Sequence, residues 1–353
     1  MPGLGNKTIQ QLIHRFATPT LLFAACIKGG RQVEGIRSNV LSSLVRPASF
    51  RQQAEVLLQR LHAGGATALC PEDPEYPHLL KEIADPPAVI YVQGNVELLQ
   101  SPCVAMVGSR AATAYGKRTA FTLAQRIVES GFTVVSGLAL GVDGEAHNGA
   151  LSVGGNTIGV LGCGLDVVYP RLHSKLFEQI RKNGLLVSEY PLGTRPDGFR
   201  FPARNRIIAG ISRGVVVVEA AKKSGSLITA GMALDEGREV FAVPGQIDSF
   251  KSSGSHWLLQ QGAKLVQSVE DIFVELGWEG LASPGVEQSG LPDVALDPDA
   301  EKLLNMLDVY PTSRNEMIAR SGLKAAKVTE LLLLFELEGL IEMLPGDELR
   351  RLN

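Results

Sequence analysis

Six short runs of β-branched and aliphatic residues, separated by stretches of helical periodicity and each ending in a polar, glycine-containing loop, fix the class of the chain's centre. The runs are 103–107 (CVAMV), 132–135 (FTVV), 157–161 (TIGVL), 185–188 (LLVS), 214–218 (GVVVV) and 239–243 (EVFAV). They are apolar at nearly every position rather than at alternate ones, as strands are when helices cover both faces of their sheet. Strand and helix alternating in this way predict an α/β fold, an extended Rossmann-like, doubly wound, mostly parallel sheet.

Residues 66–277 are assigned to this Rossmann-like domain and residues 1–65 to a small helical domain of the SAM or helix-hairpin-helix kind. The opening Pro2-Gly3-Leu4-Gly5-Asn6-Lys7 precedes an amphipathic run of Ile9, Leu12, Ile13 and Phe16. A Gly-x-Gly turn at a helix start could receive a phosphate on its amides; otherwise the domain is purely structural. The first helix of such a hairpin is missing, which implies a trimmed N-terminus or a later translation start. Residues 278–298, rich in Gly, Pro, Ser and acid without periodicity, read as a linker. Residues 299–353 predict a winged helix, with helical runs near 299–308, 313–321 and 325–339 and a hairpin-like end around Pro345-Gly346-Asp347.

In an open parallel sheet, ligands sit beyond the carboxyl ends of the strands. The loops there are Gly108-Ser109-Arg110, Ser136-Gly137-Leu138-Ala139, Gly162-Cys163-Gly164, the segment Phe199-Arg200-Phe201-Pro202-Ala203-Arg204-Asn205-Arg206, and Lys222-Lys223-Ser224-Gly225-Ser226. Small residues ahead of a helix let backbone N–H groups converge on an anion, although glycine also serves tight turns with no ligand at all. Several such loops on one edge, joined by arginines, favour phosphate.

Thirty-four basic against 37 acidic residues leave a net charge of −3, so a polyanion must be met by a local patch. From Arg195 to Lys223 there are seven basic and two acidic residues, a balance of +5, with Phe199 and Phe201 among them. Aromatic faces beside guanidinium groups suit splayed bases on a phosphate chain, and hence single strands. Phe201 reads equally well as core. Residues 297–353 carry seven basic against eleven acidic residues, a balance of −4, and look more like a protein-contact module than a duplex reader, with Lys324 and Lys327 left for a DNA-reading role.

Cys26, Cys70, Cys103 and Cys163 form no Cys-x-x-Cys and stand near no His pair, so they read as buried residues of a reducing compartment and no metal is expected. No secretory signal or 18-residue apolar run is present, which predicts a cytoplasmic protein without membrane contact. Gly162-x-Gly164 is followed by Val167 where the dinucleotide fingerprint needs glycine, and no P-loop motif occurs, so no cofactor is expected. Asp143 and His147 could pair but are tied to no nucleophile, and Glu189 and Glu219 end strands where an acid and a base could stand.

The ordered series Val107-Gly108-Ser109-Arg110, Ser136-Gly137-Leu138-Ala139 with Gly141-Val142-Asp143, Gly164-Leu165-Asp166 with Tyr169-Pro170, Ser188-Glu189-Tyr190-Pro191, Phe201-Pro202-Ala203-Arg204-Asn205-Arg206, Ser224-Gly225-Ser226-Leu227-Ile228-Thr229 and Val243-Pro244-Gly245 resembles the DNA-processing protein A (DprA/Smf) family of bacteria. The resemblance implies a non-catalytic single-stranded DNA binder that forms a homodimer through the Rossmann-like domain, protects incoming strands and loads the RecA recombinase during natural transformation. It further implies that Gly108, Ser109 and Arg110, Ser136 and Gly137, and Lys223, Ser224, Gly225 and Ser226 contact the strand. Phe199, Arg200, Arg204, Asn205 and Arg206 would line its path, and Arg171 would stand at the rim. Gly198 departs from relatives that carry lysine there, with Arg195 or Arg200 as compensation. The alternative is a resemblance to the phosphoribohydrolases that cleave nucleoside monophosphates, with Glu219 as the acid. Their Pro-Gly-Gly-x-Gly-Thr loop is absent, and no carboxylate follows Ser224–Thr229 until Asp235.

Overall fold

The computed structural model describes residues 5–16, 18–28, 47–278, 298–307, 311–337, 340–344 and 346–351. Gly3 of the opening turn, linker residues 279–297 and Pro345 lie outside the described residues. Two compact units emerge, Met1–Ala282 and Ser283–Asn353.

The first unit is built on a nine-stranded sheet: β1 (Ala66–Leu69), β2 (Ile90–Gly94), β3 (Cys103–Val107), β4 (Thr133–Ser136), β5 (Thr157–Leu161), β6 (Leu185–Ser188), β7 (Gly214–Val217), β8 (Glu239–Ala242) and β9 (Lys264–Leu265). Their order is β1-β2-β6-β5-β4-β3-β7-β8-β9. Neighbours from β6 to β9 are parallel, while β1 and β2 add an antiparallel ribbon beside β6. The fold is thus the expected doubly wound, mostly parallel sheet. Strands β1, β2 and β9 were not among the sequence expectations. The first two are short pieces in a region punctuated by proline, and the third is two residues long.

Burial on both faces explains the continuous apolar runs. Along β3, Cys103, Ala105 and Val107 join the core on one face, while Val104 and Met106 join the core on the other. On β7, Val215 and Val217 pack on the first face and Val216, with Val218 just past the strand's end, on the second. The chain winds from β3 outward through β4 and β5 to β6, then returns to β7 on the opposite side of β3. Connections therefore diverge at the β3–β7 boundary and open a crevice at the carboxyl ends of those strands.

Among the described residues, the helices Asn6–Phe16, Pro19–Lys28 and Pro47–Ala63 precede the sheet. At the start of the first, Asn6 spends its side chain on the body of the unit. It donates to Asp85 Oδ1 and Pro86 O, each at 2.8 Å, and accepts from the Ala88 amide at 2.9 Å. That clasp favours the structural role of this region over phosphate contact.

The second unit places helices Pro298–Asn305, Arg314–Ser321 and Ala325–Leu337 with a small sheet of β10 (Thr312–Ser313), β12 (Glu348–Arg351) and β11 (Ile341–Leu344), in that order. Leu303, Met317, Val328, Phe335, Ile341 and Leu349 form its own core. This is the expected winged-helix arrangement.

Candidate functional site

At the β3–β7 crevice lies an open cleft of about 930 Å³, lined by Gly108, Ser109, Arg110, Asp143, Tyr169, Phe201, Arg204, Asn205, Lys223, Ser224, Gly225, Ser226 and Phe250, among others. The loop carrying Arg110 is gripped from both sides. The Ser109 amide donates to Glu219 O at 2.6 Å, and Ser109 O accepts from the Val142 amide at 3.2 Å. Behind it, the buried Glu219 carboxylate accepts from Thr113 Oγ1 at 2.6 Å and from the Thr113 amide at 3.2 Å. Glu219 therefore holds backbone, and the acid of the phosphoribohydrolase alternative is committed to an architectural task.

A second buried network fixes the neighbouring loop. Asp143 accepts from the Gly137 and Ala139 amides at 3.1 and 3.3 Å. Arg204, 4% exposed, donates to Gly137 O at 2.8 Å and to Val160 O. A Cβ at position 137 would come within 2.5 Å of the Arg204 guanidinium, so only glycine lets that side chain pass. Burial pushes the Asp143 carboxyl up, against the pull of Arg204, and brings the Arg204 guanidinium down to about 10, against the pull of Asp143. Arg204 stays charged at neutral pH but acts mainly as a strut beneath the cleft.

His147 does not pair with Asp143; its Nδ1 meets Thr157 Oγ1 at 2.7 Å. Burial first, with His173 and Arg204 adding, drops its pKa to about 3, so it is neutral inside the fold.

The open side of the cleft has a different character. Arg110 is exposed, with its guanidinium carbon 5.6 Å from the Phe201 ring centre, and Phe201 is stacked on Tyr169 at 5.4 Å. Opposite the loops, Ser224 caps the helix Gly225–Asp235: its Oγ accepts from the Ser226 amide at 3.3 Å and lies 2.6 Å from Ser226 Oγ. The space around Gly225 is open. Ser224 O also accepts from the Leu227 amide at 3.1 Å, so the Gly225 amide, the two hydroxyls and the partial positive charge of the helix start are what face an anion here. Among the described residues no carboxylate lies within ion-pair distance of Arg110 or Lys223.

Not every residue singled out in the sequence lines the cleft. Ser136 is fully buried and donates to Met106 O at 2.6 Å, so its hydroxyl is already used. Gly137 faces a smaller recess beside Arg204. Arg206 points away, pairing with Asp85 at 3.2 Å and Glu189 at 2.6 Å. The cause is helical phase: positions 204 and 206 of the helix Arg200–Ile211 are about 200° apart, so one turned to the cleft sends the other to the far side. Phe201, Arg204, Asn205 and Ile208 share the cleft-facing stripe. Arg200 stacks over Phe199 and Tyr190 outside it, and Phe199 and Arg171, both exposed, also stand outside. Conversely, Phe250 lines the cleft without having been singled out, and Tyr169, quoted only within the family series, lines it too. An aromatic residue in a loop after a parallel strand was the available signal.

Among the described residues no cluster of three His, Cys, Asp or Glu could hold a metal, and no helix is long and apolar enough to cross a membrane.

Comparison with known proteins places this geometry in a family. Residues 67–277 match the model for DNA recombination-mediator protein A, and residues 287–347 match the DprA winged helix domain. The protein Smf of Synechocystis sp. is 39% identical over 99% of this chain and 96% of its own. The X-ray structure of DNA processing protein A from Streptococcus pneumoniae superposes with a TM-score of 0.68 at 39% identity, covering 77% of this chain and 94% of that one. DNA processing protein A from Helicobacter pylori, whose structure was described for its single-stranded DNA binding mode, gives a TM-score of 0.55 at 34% identity, covering 60% of this chain and 95% of that one. With a fold, a terminal domain and nearly the whole sequence in agreement, the chain belongs to the DNA recombination-mediator protein A family.

Proposed function

We propose that the cleft binds single-stranded DNA and that the protein acts in recombination by protecting the strand and loading RecA on it in the cytoplasm, as a homodimer. The observation that carries the reading is the meeting of three elements at the topological switch point. These are an exposed Arg110 over the Phe201–Tyr169 stack, the capped helix start at Ser224–Ser226, and Lys223. Phosphates suit the amides and cations, and unpaired bases suit the rings. Glu219 and Asp143 are both occupied by backbone amides, which leaves binding rather than bond cleavage as the chemistry best served. RecA loading and dimer formation are carried by family membership.

The test is a fluorescence-anisotropy titration with oligothymidylate and with duplex of equal length at several salt concentrations. The single strand should bind more tightly, with affinity falling linearly in log–log form as salt rises. Equal affinity for both forms would overturn the proposal.

A further inference from the structure

The cleft continues beyond the helix start onto the loop that follows β8, and there stands Phe250, 76% exposed and part of the cleft wall. A lone exposed aromatic residue means little by itself; the anchoring of its loop means more. Four hydrogen bonds pin the loop from Pro244 to Gly254. Tyr115 Oη donates to Pro244 O at 2.9 Å, His256 Nε2 meets Gly245 O at 3.1 Å, Lys251 Nζ donates to Ala111 O at 2.6 Å, and the Gly254 amide donates to Ala220 O at 2.7 Å. A Cβ on Gly254 would lie 2.7 Å from Ala220 O, so this close approach requires glycine. Two of the anchors, Ala111 and Tyr115, follow directly on the loop that carries Arg110, and Ala220 leads into the loop that carries Lys223 and Ser224. Phe250 is thus fixed in register with the phosphate-binding elements.

We propose that Phe250 is a second base-stacking platform, so that the bound strand crosses the cleft from the Tyr169–Phe201 stack, past Arg110 and Ser224, and leaves over the loop after β8. This rests on the proposed single-strand reading of the cleft and extends it. Tyr169 follows β5 and Phe250 follows β8, and four strand spacings separate those two strands, about 19 Å. The two aromatic positions thus stand on loops that leave different strands of the sheet, and two pre-positioned platforms with cations between them fit a chain of several nucleotides. A rigid aromatic face is held ready at little ordering cost, which is how pre-organised sites gain affinity.

The test compares the full chain with Phe250→Ala, Phe250→Trp, Phe250→Leu and Arg110→Ala. The probes are oligothymidylate and a set of the same strands with one abasic site at successive positions. Phe250→Ala and Phe250→Leu should weaken binding about tenfold, and Phe250→Trp should retain it. One abasic position should cost the native protein a similar factor and cost Phe250→Ala nothing further, as coupled partners do in a double-mutant cycle. Unchanged affinity of Phe250→Ala beside a weakened Arg110→Ala would overturn the platform and leave the cleft reading standing. Unchanged affinity of both variants would overturn the two together. A Phe250→Ala deficit that is the same at every abasic position, or a change in sedimentation without a change in affinity, would also overturn the platform, the latter in favour of contact between copies.

Discussion

Four basic side chains of the terminal unit pair with acids close by. Arg320 lies 3.3 Å from Glu316, Arg314 3.6 Å from Asp347, Lys327 3.5 Å from Glu330, and Arg350 bonds Glu342. At the cleft of the larger unit, Arg110 faces an aromatic ring instead, and neither it nor Lys223 has an acid within reach among the described residues. The difference teaches that a count of basic residues does not measure what a polyanion can collect. Within the +5 segment itself, Arg206 is taken by two carboxylates and Arg204 by two carbonyl oxygens. What remains for a ligand is set by pairing and by helical phase, and it is concentrated on one rim.

Removing a rim cation should give the largest effect. Arg110→Ala should weaken single-strand binding roughly 10- to 100-fold, in line with about 1.5–3 kcal/mol for a charge-assisted contact, and to a similar degree for homopolymers of any base. The log–log salt slope should shrink by about 0.7. A loss confined to one base would show that Arg110 reads bases rather than phosphates.

Acid should separate the two units by stability. His147 has a folded pKa near 3, below the unfolded value of about 6.5, so the unfolded chain binds the extra proton between these limits. The contribution of neutral His147 is complete above about pH 7 and is lost as pH falls, with about 2 kcal/mol gone at pH 5. The terminal unit contains no histidine after His256. Calorimetry from pH 7.5 to 5 should therefore lower the transition of the larger unit more than that of the smaller, and His147→Gln should flatten the slope. Parallel shifts of both transitions would contradict the assignment.

The smallest effect is expected from reversing charge on the terminal unit. Lys324→Glu with Lys327→Glu shifts the net charge of this unit by a further −4, yet should alter single-strand affinity less than about twofold, because a region that is already acidic collects few phosphates to lose. A loss approaching that of Arg110→Ala would erase the contrast between the two units.

Much of the frame was legible in the sequence because burial on both faces leaves its mark locally: TIGVL and LLVS became β5 and β6 residue for residue. β2, with its sequence IYVQG, was not legible, since a short ribbon strand borrows its stability from β6 across the sheet. At the site, the strand pattern put the glycine loops and Arg110 at the carboxyl edge of the sheet, while their residue-by-residue part in holding a ligand came with the family resemblance. The outward turn of Arg206 required the exact phase of a helix whose start, at Arg200, the sequence left open. Phe250 was hidden for another reason: its place depends on Tyr115, Ala111 and Ala220, up to 139 positions away, which no window of sequence connects.

β9 is only two residues long, and Lys264 within it pairs with Glu275 at 2.9 Å. A sheet border that brief offers a passing chain almost no open amide and carbonyl groups, and a charged pair stands beside them. Copies of the chain brought close together thus find little template here for joining sheet to sheet, and crowding on this flank need not lead to fibres.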